Sequence, residues 1–153
     1  MVDYNVYKVS MSSIVVSLRV SSQQAKRLQR KARQLRRTPS DTGALLIEEG
    51  LRRGEFAFID FRDTPIGREA FVQGTRVPVW QVIAILRSHG NDAAKVARHL
   101  EWPIVKVKAA INYAKAFSDE IEGAISDNAA QDVESLSRIL PNVEEMAVSR
   151  GKK

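Results

Sequence analysis

The chain contains no cysteine. Disulfides and thiolate metal sites are thereby excluded, and the composition fits a reducing cytoplasm. Histidine is almost absent too: His89 and His99 are the only two, too far apart in sequence for the adjacent-turn spacing of a helical zinc site. With no cysteine to complete such a site, neither a metalloenzyme nor a cofactor is expected. No apolar run approaches the roughly 20 residues needed to cross a bilayer, so no membrane partner is expected. Met1 to Val9 lacks the basic-then-apolar order of a signal peptide, and a cytoplasmic protein is expected. No nucleophile–base pair or phosphate loop stands out either. Gly74-Thr-Arg76 has too few glycines and lacks the Gly-Lys-Ser/Thr ending, so Arg76 is read as tying down its own loop. An enzyme is not expected.

What is present is charge, unevenly distributed. The 153 residues carry a net +6, with 44% hydrophobic and 27% charged residues, a globular composition with room for one ordinary domain or two small ones. Ser12 to Gly54 holds ten Lys/Arg against three Asp/Glu, whereas Ser118 to Lys153 holds four against eight. A basic front suits a polyanion such as nucleic acid, because each phosphate neutralised releases condensed counterions. An acidic back suits a different partner.

Residues 12–54 read as one module. In Ser13 to Val20, Ile14, Val16, Leu18 and Val20 alternate with Ser13, Val15, Ser17 and Arg19, the period of a half-buried strand. Ser21 or Ser22 caps a helix over Gln23 to Arg37, where Ala25, Leu28, Ala32 and Leu35 form a narrow apolar stripe. Pro39 ends it. A second helix is expected from about Gly43 to Gly54, capped by Thr42 or alternatively Ser40, with Leu46, Ile47 and Leu51 as core. One strand and two short helices cannot bury enough apolar area alone. Two copies pairing their strands antiparallel remove the deficit, so a homodimer is expected on energetic grounds.

Val16-Ser-Leu-Arg-Val20, the cap at Ser21–Ser22, the basic first helix and Leu46-Ile-Glu-Glu-Gly-Leu-Arg-Arg53 resemble ribbon-helix-helix repressors and antitoxins. The resemblance implies a two-stranded ribbon in the major groove of double-stranded operator DNA, with Val15, Ser17 and Arg19 as readers. Arg19 would make a bidentate guanine contact. It further implies a phosphate held on the free N–H groups of Thr42, Gly43 and Ala44 at the second helix start. Val15 is apolar where a polar reader is usual, and Gly43 and Gly50 replace better helix formers. A module used only for dimerisation is the plainer reading.

Residues 55–126 read as a second module after a hinge at Gly54–Glu55. Phe56 to Phe61 and Glu69 to Val72 read as two short strands around the turn residues Arg62 to Gly67. Helices are expected at Val79 to Ser88, ended by Gly90; at Ala93 to Leu100, capped by Asn91 or Asp92; and at Ile104 to Phe117. The last two, joined by Glu101-Trp-Pro103, have helix-turn-helix patterning. The final helix would offer Lys106, Lys108, Asn112 and Lys115 to DNA, or serve only as scaffold. Phe71-Val-Gln-Gly-Thr-Arg-Val-Pro-Val-Trp80, with Asp92 to Ala97 and Asn112 to Ile121, resembles the helix-turn-helix domain of unknown function (family four-three-three) of VapB-type antitoxins. The fold class expected is mainly α with short β: a ribbon-helix-helix dimer followed by a small β-hairpin and a winged-helix-like helix-turn-helix domain.

Residues 1–11 read as an N-terminal extension and 127–153 as a tail. Ser118 to Gly123 is read as an acidic helix start rather than a catalytic metal site. Beyond it, Asp127 to Ala130 is polar, and Asp132 to Leu140 is amphipathic. The antitoxin resemblance implies that this tail wraps a PIN-domain ribonuclease toxin, with Val133, Leu136, Ile139 and Leu140 as anchors. Arg138 or Arg150 would engage the toxin's acidic site. The function expected is a type II antitoxin that represses its own operon; the alternatives are a free-standing dimeric repressor, or a tail folded back on the second module.

Overall fold

The computed structural model describes residues 14–65 and 67–129. Val133, Leu136, Arg138, Ile139, Leu140 and Arg150, the residues expected to bind a toxin, lie outside the described residues. The described part is mainly helical with one small antiparallel sheet. In order it runs α1 (Ser22–Leu35), α2 (Pro39–Glu55), β1 (Ile59–Thr64), β2 (Gly67–Val72), α3 (Val79–Ser88), α4 (Ala93–Leu100), α5 (Ile104–Ala116) and α6 (Ser118–Ala129). Compact packing divides the chain in two within α2, between Leu46 and Ile47, rather than at Gly54–Glu55.

In the first unit, residues 14–20 belong to no helix or strand of the described chain. Their side chains lie open, from 83% exposure at Ile14 to 53% at Val20. Ser21 then starts α1 with a capping box: its hydroxyl accepts from the Gln24 N–H at 3.2 Å while Gln24 Oε1 accepts from the Ser21 N–H at 2.9 Å. The apolar stripe points inward, with Ala32 buried and Ala25, Leu28 and Leu35 half-buried. Arg36, at φ 54°, closes the helix in the left-handed conformation.

The second helix starts four residues before the expected Gly43. Thr38 Oγ1 accepts from the Asp41 N–H at 3.1 Å and donates to Asp41 Oδ2 at 2.7 Å, the geometry of an N-cap. Pro39 therefore opens α2 as its first residue, where a missing N–H costs nothing, rather than only ending α1. Nor does Gly54 break the helix, which continues to Glu55.

The second unit is built around the hairpin. β1 and β2 pair from Ile59↔Val72 to Thr64↔Gly67. Phe56, expected to open a strand, instead packs edge-on against Tyr113 and Phe117, with ring centroids 5.4 and 5.6 Å apart. Phe58 follows in the left-handed region at φ 61°, and pairing begins only after it. Val72, Val79, Val82, Val96, Val107, Ala110 and Tyr113 are fully buried and form the centre of the core. Helix α3 has the bounds expected, and Gly90 follows it at φ 66°. Asp92 Oδ1 caps α4, accepting from the N–H groups of Ala94 and Lys95 at 2.9 and 3.1 Å. Ser118 begins a full helix that runs to Ala129, so the polar residues from Asp127 to Ala129 are helical.

Candidate nucleic-acid interface

Val15, Ser17 and Arg19 all lie on the exposed segment before α1, Val15 at 92% exposure. Interleaved with them, Ile14, Val16, Leu18 and Val20 are open as well, although alternation marks them for burial. A single copy provides no cover for that row among the described residues.

The phosphate cradle expected at Thr42, Gly43 and Ala44 is not formed. The Thr42 N–H donates to the Thr38 carbonyl at 3.0 Å, and its hydroxyl donates to the same oxygen at 2.9 Å. Thr42 is buried, Gly43 half-buried and Ala44 exposed, all inside the first turns of α2. Because α2 starts at Pro39, amide donors that would be free on a helix beginning at Gly43 are already within the helical ladder. The difference from the expected cradle has one cause: Thr38-Pro-Ser-Asp41 starts α2, and Pro39 does not merely end α1.

On the second unit, α5 carries the remaining expected contacts. Lys108, Asn112 and Lys115 recur at four- and three-residue spacing on its exposed side, flanked by Ile104 and Val105 at 42% and 48% exposure. Lys106 falls on another side. It is half-buried, its ammonium 3.4 Å from where a side-chain carbon at Gly74 would stand. Three of the four residues thus share a face and the fourth does not. Val96, Ala97 and Val107 are buried, with Leu100 and Ile111 packed at their edge. Beside the exposed face lies a groove of about 480 Å³ lined by Phe58, Val105, Lys108, Ala109 and Asn112, among others.

Ion pairs that hold the second unit together were not foreseen. Arg52 Nη1 donates to Tyr113 Oη and to Glu120 Oε2, both at 2.7 Å, and its Nε donates to Glu48 at 2.7 Å. The Arg52 guanidinium also stands 3.7 Å from the centre of the Phe117 ring. Burial disfavours its charge, but the bonds to Glu48, Glu120 and Tyr113 outweigh that and raise its pKa. Burial, with the Glu120 charge behind it, pushes the Tyr113 phenol well above the usual tyrosine range. Arg87 and Glu122 pair across α3 and α6, which holds the Glu122 carboxyl below its ordinary value. Residues 48–53, read as a family signature of the first module, therefore anchor the second.

The Gly74 loop is tied by Thr75 rather than Arg76. Thr75 Oγ1 donates to the Val72 carbonyl at 2.8 Å, and the Thr75 carbonyl accepts from Arg62 Nη1 at 2.7 Å, while Arg76 is exposed. His89 and His99, distant in sequence, come together where α3 turns into α4, with ring centroids 4.9 Å apart. His89 Nδ1 lies 2.9 Å from the Ile85 carbonyl.

No family model matches the chain, and no curated protein or solved structure matches it at a significant level. No helix among the described residues is long and apolar enough to cross a membrane.

Proposed function

We propose that the chain is a dimeric DNA-binding repressor acting as the antitoxin of a type II pair. One observation carries the dimer: an alternating apolar row, Ile14, Val16, Leu18 and Val20, stands exposed directly before a capped basic helix. Exposed apolar rows with open backbone on a short segment are stabilised by pairing with another strand. Antiparallel pairing of two copies makes a ribbon-helix-helix module, and turns Ser17 and Arg19 toward a major groove. The hairpin followed by α3, α4 and α5 acts as a winged-helix-like domain, with Lys108, Asn112 and Lys115 facing the same duplex. The acidic, apolar residues 127–153 neutralise a PIN-domain ribonuclease.

Two experiments test the parts separately. Gel shifts against DNA from upstream of the gene should show Arg19→Ala losing about 1–3 kcal/mol of preference at one base position. Equal behaviour of variant and wild type on specific and random DNA would remove Arg19 from the groove. Co-expression with the product of the adjacent gene should give a stable complex and relieve toxicity. Absence of both, with operator binding intact, would leave a free-standing repressor.

A further inference from the structure

Several cations of the second unit are paired within it. In the second unit, Arg52, Arg53, Arg68 and Arg87 each meet a carboxylate within 3.1 Å. Four cations of α1 differ. Lys26, Arg27, Arg30 and Arg33 are all exposed, and none has an ion-pair partner among the described residues. Helix α1 contains no acidic residue at all, and the side chains between its cations are glutamines or the inward apolar stripe. At about 100° per residue these four occupy an arc of about 120°, opposite the side that Ala25, Leu28, Ala32 and Leu35 turn inward.

That arrangement is unfavourable for the helix itself. Lys26 with Arg30, Arg27 with Arg30, and Arg30 with Arg33 are like charges at three- or four-residue spacing, which repel. Among the described residues no carboxylate offsets this repulsion, and only Arg33, in the last turn, is favourably placed on the dipole. An external anion offsets the repulsion, provided it presents charge repeatedly along a line. Duplex DNA carries one phosphate charge for about every 1.7 Å of its axis.

We infer that the outward face of α1, formed by Lys26, Arg27, Arg30 and Arg33, is a third DNA-binding surface that grips the phosphate backbone without reading sequence. It rests on the DNA-binding reading above but adds to it a contact made by neither the ribbon nor α5. Such a face raises the time spent on any duplex and leaves base selection to other residues.

The test uses the full chain and a labelled duplex of random sequence, with affinity followed by fluorescence anisotropy from low to moderate salt. The variant replaces all four residues with Gln, which the helix already uses at four positions. Helicity by circular dichroism should match wild type. The slope of log affinity against log salt should become shallower by about 2 to 4, each lost phosphate contact contributing about 0.9. Replacing Arg27, Arg30 and Arg33 with Lys should keep most of the slope, since the backbone is recognised by charge. An unchanged slope in the Gln variant overturns the proposal, as does a loss confined to single-stranded RNA or phosphatidylserine vesicles. A wild-type slope on random duplex shallower than about −2 overturns it without any variant. If the slope behaves as expected but no operator preference exists, the repressor reading fails and this one stands.

Discussion

The guanidinium of Arg68 lies edge-on against the carboxylate of Glu49, Nε donating to Oε1 at 2.7 Å and Nη2 donating to Oε2. Its third nitrogen, Nη1, donates to Asp63 Oδ1 at 2.8 Å. Glu49 is only 2% exposed, so its charge has little water to turn to. The pair joins α2 to β2, and its hydrogen bonds to Glu49 hold the Arg68 pKa above its ordinary value.

Removing one partner should therefore cost more than removing both. Arg68→Ala strands a buried carboxylate and should destabilise the chain by about 3–5 kcal/mol in urea unfolding. The double variant Arg68→Met with Glu49→Leu should be distinctly less destabilised than Arg68→Ala. Additive effects in a double-mutant cycle would show that the two charges act independently.

The Tyr113 hydroxyl sits between Arg52 and Glu120, donating to Glu120 Oε1 at 2.9 Å. Its pKa is raised above the ordinary 10.0, chiefly by burial. The folded state therefore holds that proton more tightly than the unfolded state. The stability so linked is complete below about pH 10 and is lost as pH rises toward the raised value. Tyr113→Phe keeps the ring among Phe56, Phe61 and Phe117 and should cost about 1 kcal/mol at neutral pH. Its alkaline unfolding should also be flatter than wild type, and the late phenol ionisation seen by ultraviolet absorbance should vanish. Identical alkaline limbs in the two proteins would argue against the assignment.

Asp92 gives the opposite sign. Backbone N–H groups, that of Lys95 first and that of Ala94 after it, hold its carboxyl below the ordinary 3.8. Its contribution is present above that value and fades as pH falls toward the lowered one. Asp92→Asn keeps an oxygen for the cap of α4 but has nothing to titrate. Thermal midpoints measured from neutral pH into acid should fall less steeply for Asp92→Asn than for wild type, while Asp92→Ala should be less stable throughout. A parallel acid decline in wild type and Asp92→Asn would remove this carboxylate from the linkage.

What the residues disclosed follows from the range of the interactions involved. Helix α3, the α4 cap at Asp92 and the turn at Glu101-Trp-Pro103 are decided within a few residues, and periodicity with capping chemistry reveals them. The start of α2 is equally local, but Thr38-Pro39 is ambiguous in sequence, since a proline that ends one helix also opens the next when a hydroxyl caps it. The pairs Arg52–Glu120 and Arg68–Glu49 join positions far apart in the chain, where no spacing rule applies. In the sequence, Glu48, Glu49, Arg52 and Arg53 consequently stand only as part of the run Leu46 to Arg53 assigned to the first module. On α5, the helical period separates Lys106 from Lys108, Asn112 and Lys115, a distinction already available from the numbering alone.

The dimer admits the sharpest test, because two neighbouring positions on one segment should behave differently. Leu18 is 63% exposed in the single chain and belongs to the exposed row Ile14, Val16, Leu18 and Val20, and a contiguous apolar patch marks an interaction surface where a lone exposed residue would not. Full burial of a leucine contributes about 1.5–3 kcal/mol, and each dimer contains two. Leu18→Asp removes both and places two like charges in the closed face. Its dimer dissociation constant should rise at least 100-fold, corresponding to about 2.7 kcal/mol or more, seen as a monomer in sedimentation equilibrium at micromolar concentration. Arg19→Ala, one residue on, belongs to the outward row and should leave the mass of the assembly unchanged. If both variants sediment as wild type does, residues 14–20 do not pair, and the ribbon must be abandoned along with the base contacts built on it.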